Sequence, residues 1–223
     1  PPPLEIIKGR GAGLTLQHKK TQFRFVPAMV VLTAGEGNES LLHSAGIQIP
    51  TMQRRPLHMV LVRHEYPHPV FAHCIGTGSK PLITITTHQD RHGQPIWYLG
   101  GNLAETGVEF DSARQIRSAR TLLTELLPWI NLGRSEWKSF LINRAEPRQN
   151  QLTRPDAAFV HQSENLITAW PTKLALTPNL ADEVCRRIAP PDGHACNEQM
   201  RRDALGFLPR PPILLSPWEK YFC

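Results

Sequence analysis

Residues 165–188 hold the arrangement best suited to chemistry in this sequence. Leu166, Ile167 and Ala169 read as a short buried strand, Pro171 and Thr172 as a turn, and a helix is expected to open near Thr177 and Pro178. Proline suits a first helical position because its missing N–H has no partner there, and Thr177 before it suits an N-cap. Leu180, Val184 and Ile188 recur at helical spacing and mark an inward face. Strand, tight loop and helix start in succession present backbone N–H groups to an electron-rich ligand.

Other residue types suggest chemistry more loosely. His88, Asp90 and His92 alternate, and on a strand they would share a face and could converge on a metal ion. They adjoin Gly93, however, and read as a polar hairpin tip, so no metal is expected. Cys185, His194 and Cys196 form a second trio, but Cys185 lies beside the apolar face of its helix and reads as core. The ten histidines are not accompanied by a G-x-S-x-G elbow, which leaves a serine hydrolase without support. Gly9, Gly11 and Gly13 follow the apolar run Leu4–Ile7 as a phosphate loop would. Leu14, Leu16, Phe23 and Phe25 then alternate like a hairpin instead of opening a helix, so these glycines read as a turn.

The elements that must position these groups are mixed. Residues 4–8, 13–18 and 22–33 read as strands, and Glu36–Leu42 as a short helical turn. Arg54–Arg63 carries Leu57, Met59 and Leu61 with Val60 and Val62 between them, the pattern of a strand buried on both faces. Leu82–Thr87 and Ile96–Leu99 read as a hairpin with a longish loop over 88–94. Asp111–Leu127 is the best helix: Asp111 or Ser112 can cap it, Ile116, Ala119, Leu122, Leu123, Leu126 and Leu127 form one face, and Pro128 stops it. Trp137–Ile142 reads as a strand, 143–156 as a polar loop, and Ala157–Val160 as another strand. The proline-rich stretch 190–223 is expected to be irregular. Strands of this kind around one long helix imply an α+β fold.

Composition narrows the class. With 40% apolar and 20% charged residues over 223 positions, the chain can bury a real core. No apolar run approaches the roughly 20 residues that span a bilayer. The net charge of +6 invites nucleic acid as a partner, but the basic residues are scattered and no aromatic–basic platform accompanies them, so surface charge is the simpler reading. Four cysteines without paired spacing fit reduced thiols and a cytoplasmic location.

Three stretches resemble one known family. Pro171, Thr172, Lys173 and Leu174 fall on a closing strand–loop–helix; Met29–Gly35 is similar to a strand ending in an Ala-Gly pair; and Asn143–Pro147, then Arg154-Pro155-Asp156, stand where relatives carry Arg-Pro and Pro-Asp-Gly. Together they resemble the FAD-dependent oxidoreductases of the D-amino-acid oxidase and glycerol-phosphate dehydrogenase type. The resemblance implies FAD as cofactor, with Thr33, Ala34, Gly35, Pro171, Thr172, Lys173 and Leu174 beside it, Lys173 through its backbone N–H. It also implies a small-molecule substrate met by Arg144, with Arg55 similar to the arginine at the start of the family's substrate sheet. A guanidinium offers planar, bidentate recognition of a carboxylate or phosphate. The implied reaction is hydride transfer from an amine- or hydroxyl-bearing carbon to flavin. No residue is singled out as a general base.

In the family order, residues 1–49 would be part of a Rossmann-like FAD-binding domain, 50–156 a substrate domain, 157–190 the return to the first, and 191–223 a tail. The G-x-G-x-x-G unit that holds the FAD pyrophosphate in such proteins has no counterpart here. The expectation is therefore a fragment, inactive alone, whose N-terminal FAD-binding segment lies outside this sequence. The other reading is an α+β interaction module that never holds flavin.

Overall fold

The computed structural model describes residues 5–7, 13–18, 20–25, 27–78, 80–148, 157–188, 206 and 213–222. The elements in chain order are β1 (Glu5–Ile7), β2 (Gly13–His18), β3 (Thr21–Phe25), β4 (Val30–Leu32), α1 (Asn38–Ser44), β5 (Met52–Arg63), β6 (Ala72–Ile75), β7 (Pro81–Gln89) and β8 (Pro95–Gly100). They continue with α2 (Asn102–Thr106), α3 (Ser112–Leu126), β9 (Glu136–Pro147), β10 (Phe159–Ser163), β11 (Leu166–Trp170), α4 (Thr177–Cys185) and α5 (Pro217–Phe222). The architecture is α+β, as the sequence pattern implies. The chain divides into two compact units, one of residues 1–54 with 145–211, the other of 55–144 with 212–223.

The first unit holds a small antiparallel sheet, β1-β2-β3, and a second sheet in the order β10-β11-β4. β10 and β11 form an antiparallel hairpin, whereas β11 runs parallel to β4 with Leu166, Ile167 and Thr168 opposite Val30, Val31 and Leu32. All five residues of β11 are buried, which explains its near-continuous apolar run. Val30, Leu32 and Leu166 pack with Leu42 and Ala45 of the α1 segment.

The second unit is built on a five-stranded sheet in the order β6-β7-β8-β5-β9. The pairs β6–β7, β7–β8 and β5–β8 are antiparallel. One face presents Val60, Val62, Ile83, Ile85, Trp97 and Leu99 to Ala119 and Leu123 of α3. Asp111 caps α3, its carboxylate accepting the Arg114 N–H at 2.7 Å. On the opposite face Tyr98 stands against Phe140, and Phe140 stacks on Tyr221 of α5 at 5.0 Å. His88 stacks on Trp218 at 3.9 Å, and Arg63 donates to the Phe222 carbonyl at 3.2 Å.

Several expectations need correction. The strand read over 22–33 is two strands, β3 and β4, because Pro27 has no N–H for a ladder. The loop read over 143–156 begins late: β9 continues through Asn143, Arg144, Ala145 and Glu146 to Pro147, since pairing overrides weak strand propensity. His88 belongs to β7 and not to a hairpin loop. Thr177 is the first residue of α4 in helical conformation and not its N-cap; a short 3-10 turn, Leu174–Leu176, precedes it. Ile188 lies beyond α4 and is exposed. Cys185 is exposed, not core. The tail is not wholly irregular, because α5 lies in it.

Candidate functional site

β4 and β11 end at the same edge of their sheet because they are parallel neighbours, and each runs into a loop, a 3-10 turn and a helix. After β4 come Thr33 and Ala34, the turn Gly35–Gly37 and α1; after β11 come Pro171–Lys173, the turn Leu174–Leu176 and α4. Ligands of sheets with parallel strands settle outside the carboxyl ends of those strands. The two sequence stretches singled out for a cofactor, Thr33–Gly35 and Pro171–Leu174, are therefore brought to one place. Each loop also turns through a left-handed residue, Gly35 at φ 58° and Thr172 at φ 59°. Glycine adopts that conformation freely, whereas a β-branched threonine is strained there.

Two side chains tie these loops to each other. Asn38, fully buried at the start of α1, accepts the Ala34 N–H on its Oδ1 at 2.7 Å and donates from Nδ2 to the Ala169 carbonyl at 3.3 Å. Trp170, at the end of β11, donates its indole N–H to the Gly35 carbonyl at 3.1 Å. The ties are reciprocal, since each loop region reaches into the other. Sequence reasoning missed both residues. The signal for Asn38 was an amide at a helix start, but nothing local announces a partner on a strand 131 positions away.

Around Thr172 the chain makes a three-residue turn. The Lys173 N–H donates to the Pro171 carbonyl at 2.6 Å, and the Thr172 hydroxyl stands 2.6 Å from the same oxygen. The Lys173 N–H is thus engaged inside the loop. Ahead of α4, the N–H groups that open the 3-10 turn have no acceptor within their own helical turn. Arg54 pairs with Glu36 and Glu39 at 2.6 and 2.8 Å, which raises its pKa through those hydrogen bonds and fixes the segment after Gly35.

The two arginines expected at a substrate lie in the second unit. Strand alternation sets Arg55 of β5 on the face away from Val60 and Val62, with Met59 and Leu61. On β9, Ser139 bonds His58 and Ser112 on the helix side, so Phe140 and Arg144 lie on the other face. Register adds Tyr98 opposite Leu61 and opposite Thr86, and Thr84 opposite Gly100. One sheet face therefore carries Arg55, Arg144, Met59, Thr84, Thr86 and Tyr98. Burial raises the Tyr98 pKa, so its phenol stays protonated as a donor. Both arginines are half-buried.

The remaining candidates have ordinary structural roles. Asp90 Oδ1 accepts the N–H groups of His92 and Gln94 at 2.8 and 2.9 Å and so closes the turn of the β7–β8 hairpin. Burial works to raise the Asp90 pKa, but those two N–H groups, with His92 and Arg63 nearby, outweigh it and hold the carboxyl low. His88 faces Trp218, and burial lowers its pKa. Among the described residues no group of three His, Cys, Asp or Glu side chains could hold a metal ion. His194, Cys196, Arg154 and Asp156 lie outside the described residues.

Comparison with known proteins adds an independent finding. No protein-family model matches the chain. It is 52% identical over 194 residues, 86% of its length, to a probable FAD-dependent oxidoreductase of Pseudomonas aeruginosa. The chain spans about half of that relative, 49% of its length. Its fold superposes on the crystal structure of the FAD-dependent oxidoreductase from the same organism with a TM-score of 0.82 and 44% identity, covering 99% of this chain and 60% of the other. No helix among the described residues is long and apolar enough to cross a membrane.

Proposed function

We propose that this chain supplies flavin-contacting and substrate-contacting parts of an FAD-dependent oxidoreductase. The observation that carries the reading is the meeting of Thr33–Gly35 and Pro171–Leu174 at the carboxyl ends of two parallel strands, in a chain half identical to a protein named for FAD. The local structure fits such a group: among the described residues, its chain neighbours apart, no atom lies within 4 Å of where a Cβ on Gly35 would stand, and Thr33 and Ala34 are exposed. Thr33, Ala34, Gly35, Pro171, Thr172, Lys173 and Leu174 would hold the cofactor mainly through backbone, with Asn38 and Trp170 fixing the loops behind them. The engaged Lys173 N–H moves the donor role toward the first N–H groups of the 3-10 turn.

FAD would supply the two-electron acceptor for hydride removal from an amine- or hydroxyl-bearing carbon. The chain's own residues would bind and orient. Arg144 and Arg55 would hold an anionic group of the substrate, and Tyr98, Thr84 and Thr86 on the same face would offer hydroxyl groups. The narrower D-amino-acid oxidase or glycerol-phosphate dehydrogenase type rests on the three sequence matches, and a cytoplasmic location on the unpaired cysteine spacing.

The test is made on the complete gene product. It should purify with bound FAD, identified after acid release, and screening of amino and hydroxy acids should find a substrate that bleaches the flavin anaerobically. A complete protein that carries no flavin and takes up none when it is added would favour the interaction module.

A further inference from the structure

A separate concavity in the second unit lies between the C-terminal half of α3, the loop 128–133 and β9. It measures about 430 Å³ and is lined by Arg120, Leu123, Pro128, Trp129, Ile130 and Trp137 among others. That size suits a small organic ligand. Its chemistry is uneven in an informative way. Among the described residues Arg120 is the one charged side chain of the lining and makes no salt bridge; its guanidinium lies over the Trp137 ring at 4.9 Å. Stacking on an indole face orients the fork while leaving its N–H edges available to an oxyanion. Trp129, in the same lining, is 72% exposed, a large indole left in water.

We propose that this concavity binds a small aromatic carboxylate. The carboxylate meets Arg120, the ring lies against Trp129, and Leu123, Pro128 and Ile130 surround the apolar body. Among the described residues no acidic side chain lines the concavity, which favours an anion there. The site is independent of the flavin reading, because none of its residues belongs to the loops or the sheet face described above.

The probe is 4-fluorobenzoate, observed by fluorine NMR in titrations of the wild-type chain, with 4-fluorobenzamide as the uncharged control. Saturable binding with a dissociation constant of about 1 mM or tighter is expected, and the amide should not bind. Arg120→Gln and Trp129→Ala alter exposed side chains and should leave the circular dichroism and melting temperature unchanged while weakening binding about tenfold or more. Arg55→Gln combined with Arg144→Gln should leave binding unchanged. Absence of saturable binding, or binding that survives Arg120→Gln and Trp129→Ala, overturns the proposal; binding lost only in the Arg55/Arg144 variant assigns the probe to the sheet face and overturns it equally.

Discussion

The two candidate surfaces are made of different material. In the first unit the strand-end loops offer backbone, and the side chains that matter, Asn38 and Trp170, work from behind to hold two carbonyls and an N–H in place. In the second unit the sheet face offers side chains directly: two arginines, a half-buried tyrosine and threonines set by strand alternation. Backbone sites tolerate changes of residue type but not loss of the supports. Side-chain sites behave the other way round.

The largest effect that would sharpen this contrast is loss of the buried amide. Asn38→Ala strands the Ala169 carbonyl in the interior of the first unit and takes the acceptor from the exposed Ala34 N–H, at a cost of about 2 to 3 kcal/mol. Urea unfolding of the wild type and variant checks it; a loss under about 1 kcal/mol would mean that the loops do not depend on the tie.

A similar magnitude arises in the second unit from acid. His64 is buried against Trp97 at 4.4 Å, and its Nδ1 accepts the Tyr66 N–H at 3.1 Å, which only the uncharged ring can do. Burial lowers its pKa to about 4. The folded pKa lies below the unfolded value, so the unfolded chain binds the proton first and stability falls as pH drops from about 6.5 to 4. The contribution is about 3 kcal/mol, and His64→Gln should flatten that part of the stability profile. The Asn38 and Trp170 ties contain no titrating group in that range. An acid loss unchanged by His64→Gln would break this side of the comparison.

How much of this was legible in the sequence follows the same division. β11 and α3 were readable because burial on both faces and a 3.6-residue stripe leave local patterns. Arg144 was readable as a residue but not as part of a strand, since pairing extends β9 through a polar stretch that has weak propensity alone. The parallel partnership of β4 and β11, and with it the role of Asn38, joins distant segments and leaves no local trace. The left-handed Thr172 was invisible too, because a β-branched residue argues against that conformation. α5 had a signal that was passed over amid the prolines. Ser216-Pro217-Trp218-Glu219 is a capping box, with the Glu219 carboxylate accepting from the Ser216 N–H at 3.2 Å and from its hydroxyl at 2.9 Å.

Smaller effects separate the two surfaces further. Arg144→Gln would remove the guanidinium proposed to meet the substrate and should lower kcat/KM on the identified substrate about tenfold to a hundredfold through KM, with flavin content unchanged. Equal loss of flavin would move Arg144 to a structural role. Thr172→Gly relieves the left-handed strain at the cost of the hydroxyl's two contacts, to the Ala157 and Pro171 carbonyls, so stability should stay level or rise by about 1 kcal/mol with FAD retained. A marked loss of FAD there would assign the threonine hydroxyl a direct role and contradict a backbone-made site.

The most direct measurement is the FAD dissociation constant of the complete gene product, by fluorescence titration, for wild type, Asn38→Ala, Trp170→Phe and Arg144→Gln. The account predicts bound flavin in the wild type, affinity about tenfold weaker when Asn38 or Trp170 loses its bond, and no change for Arg144→Gln. A wild type that takes up no FAD, or Asn38→Ala and Trp170→Phe proteins that fold and hold it at wild-type strength, would contradict the claim that these two tied loops form the flavin site.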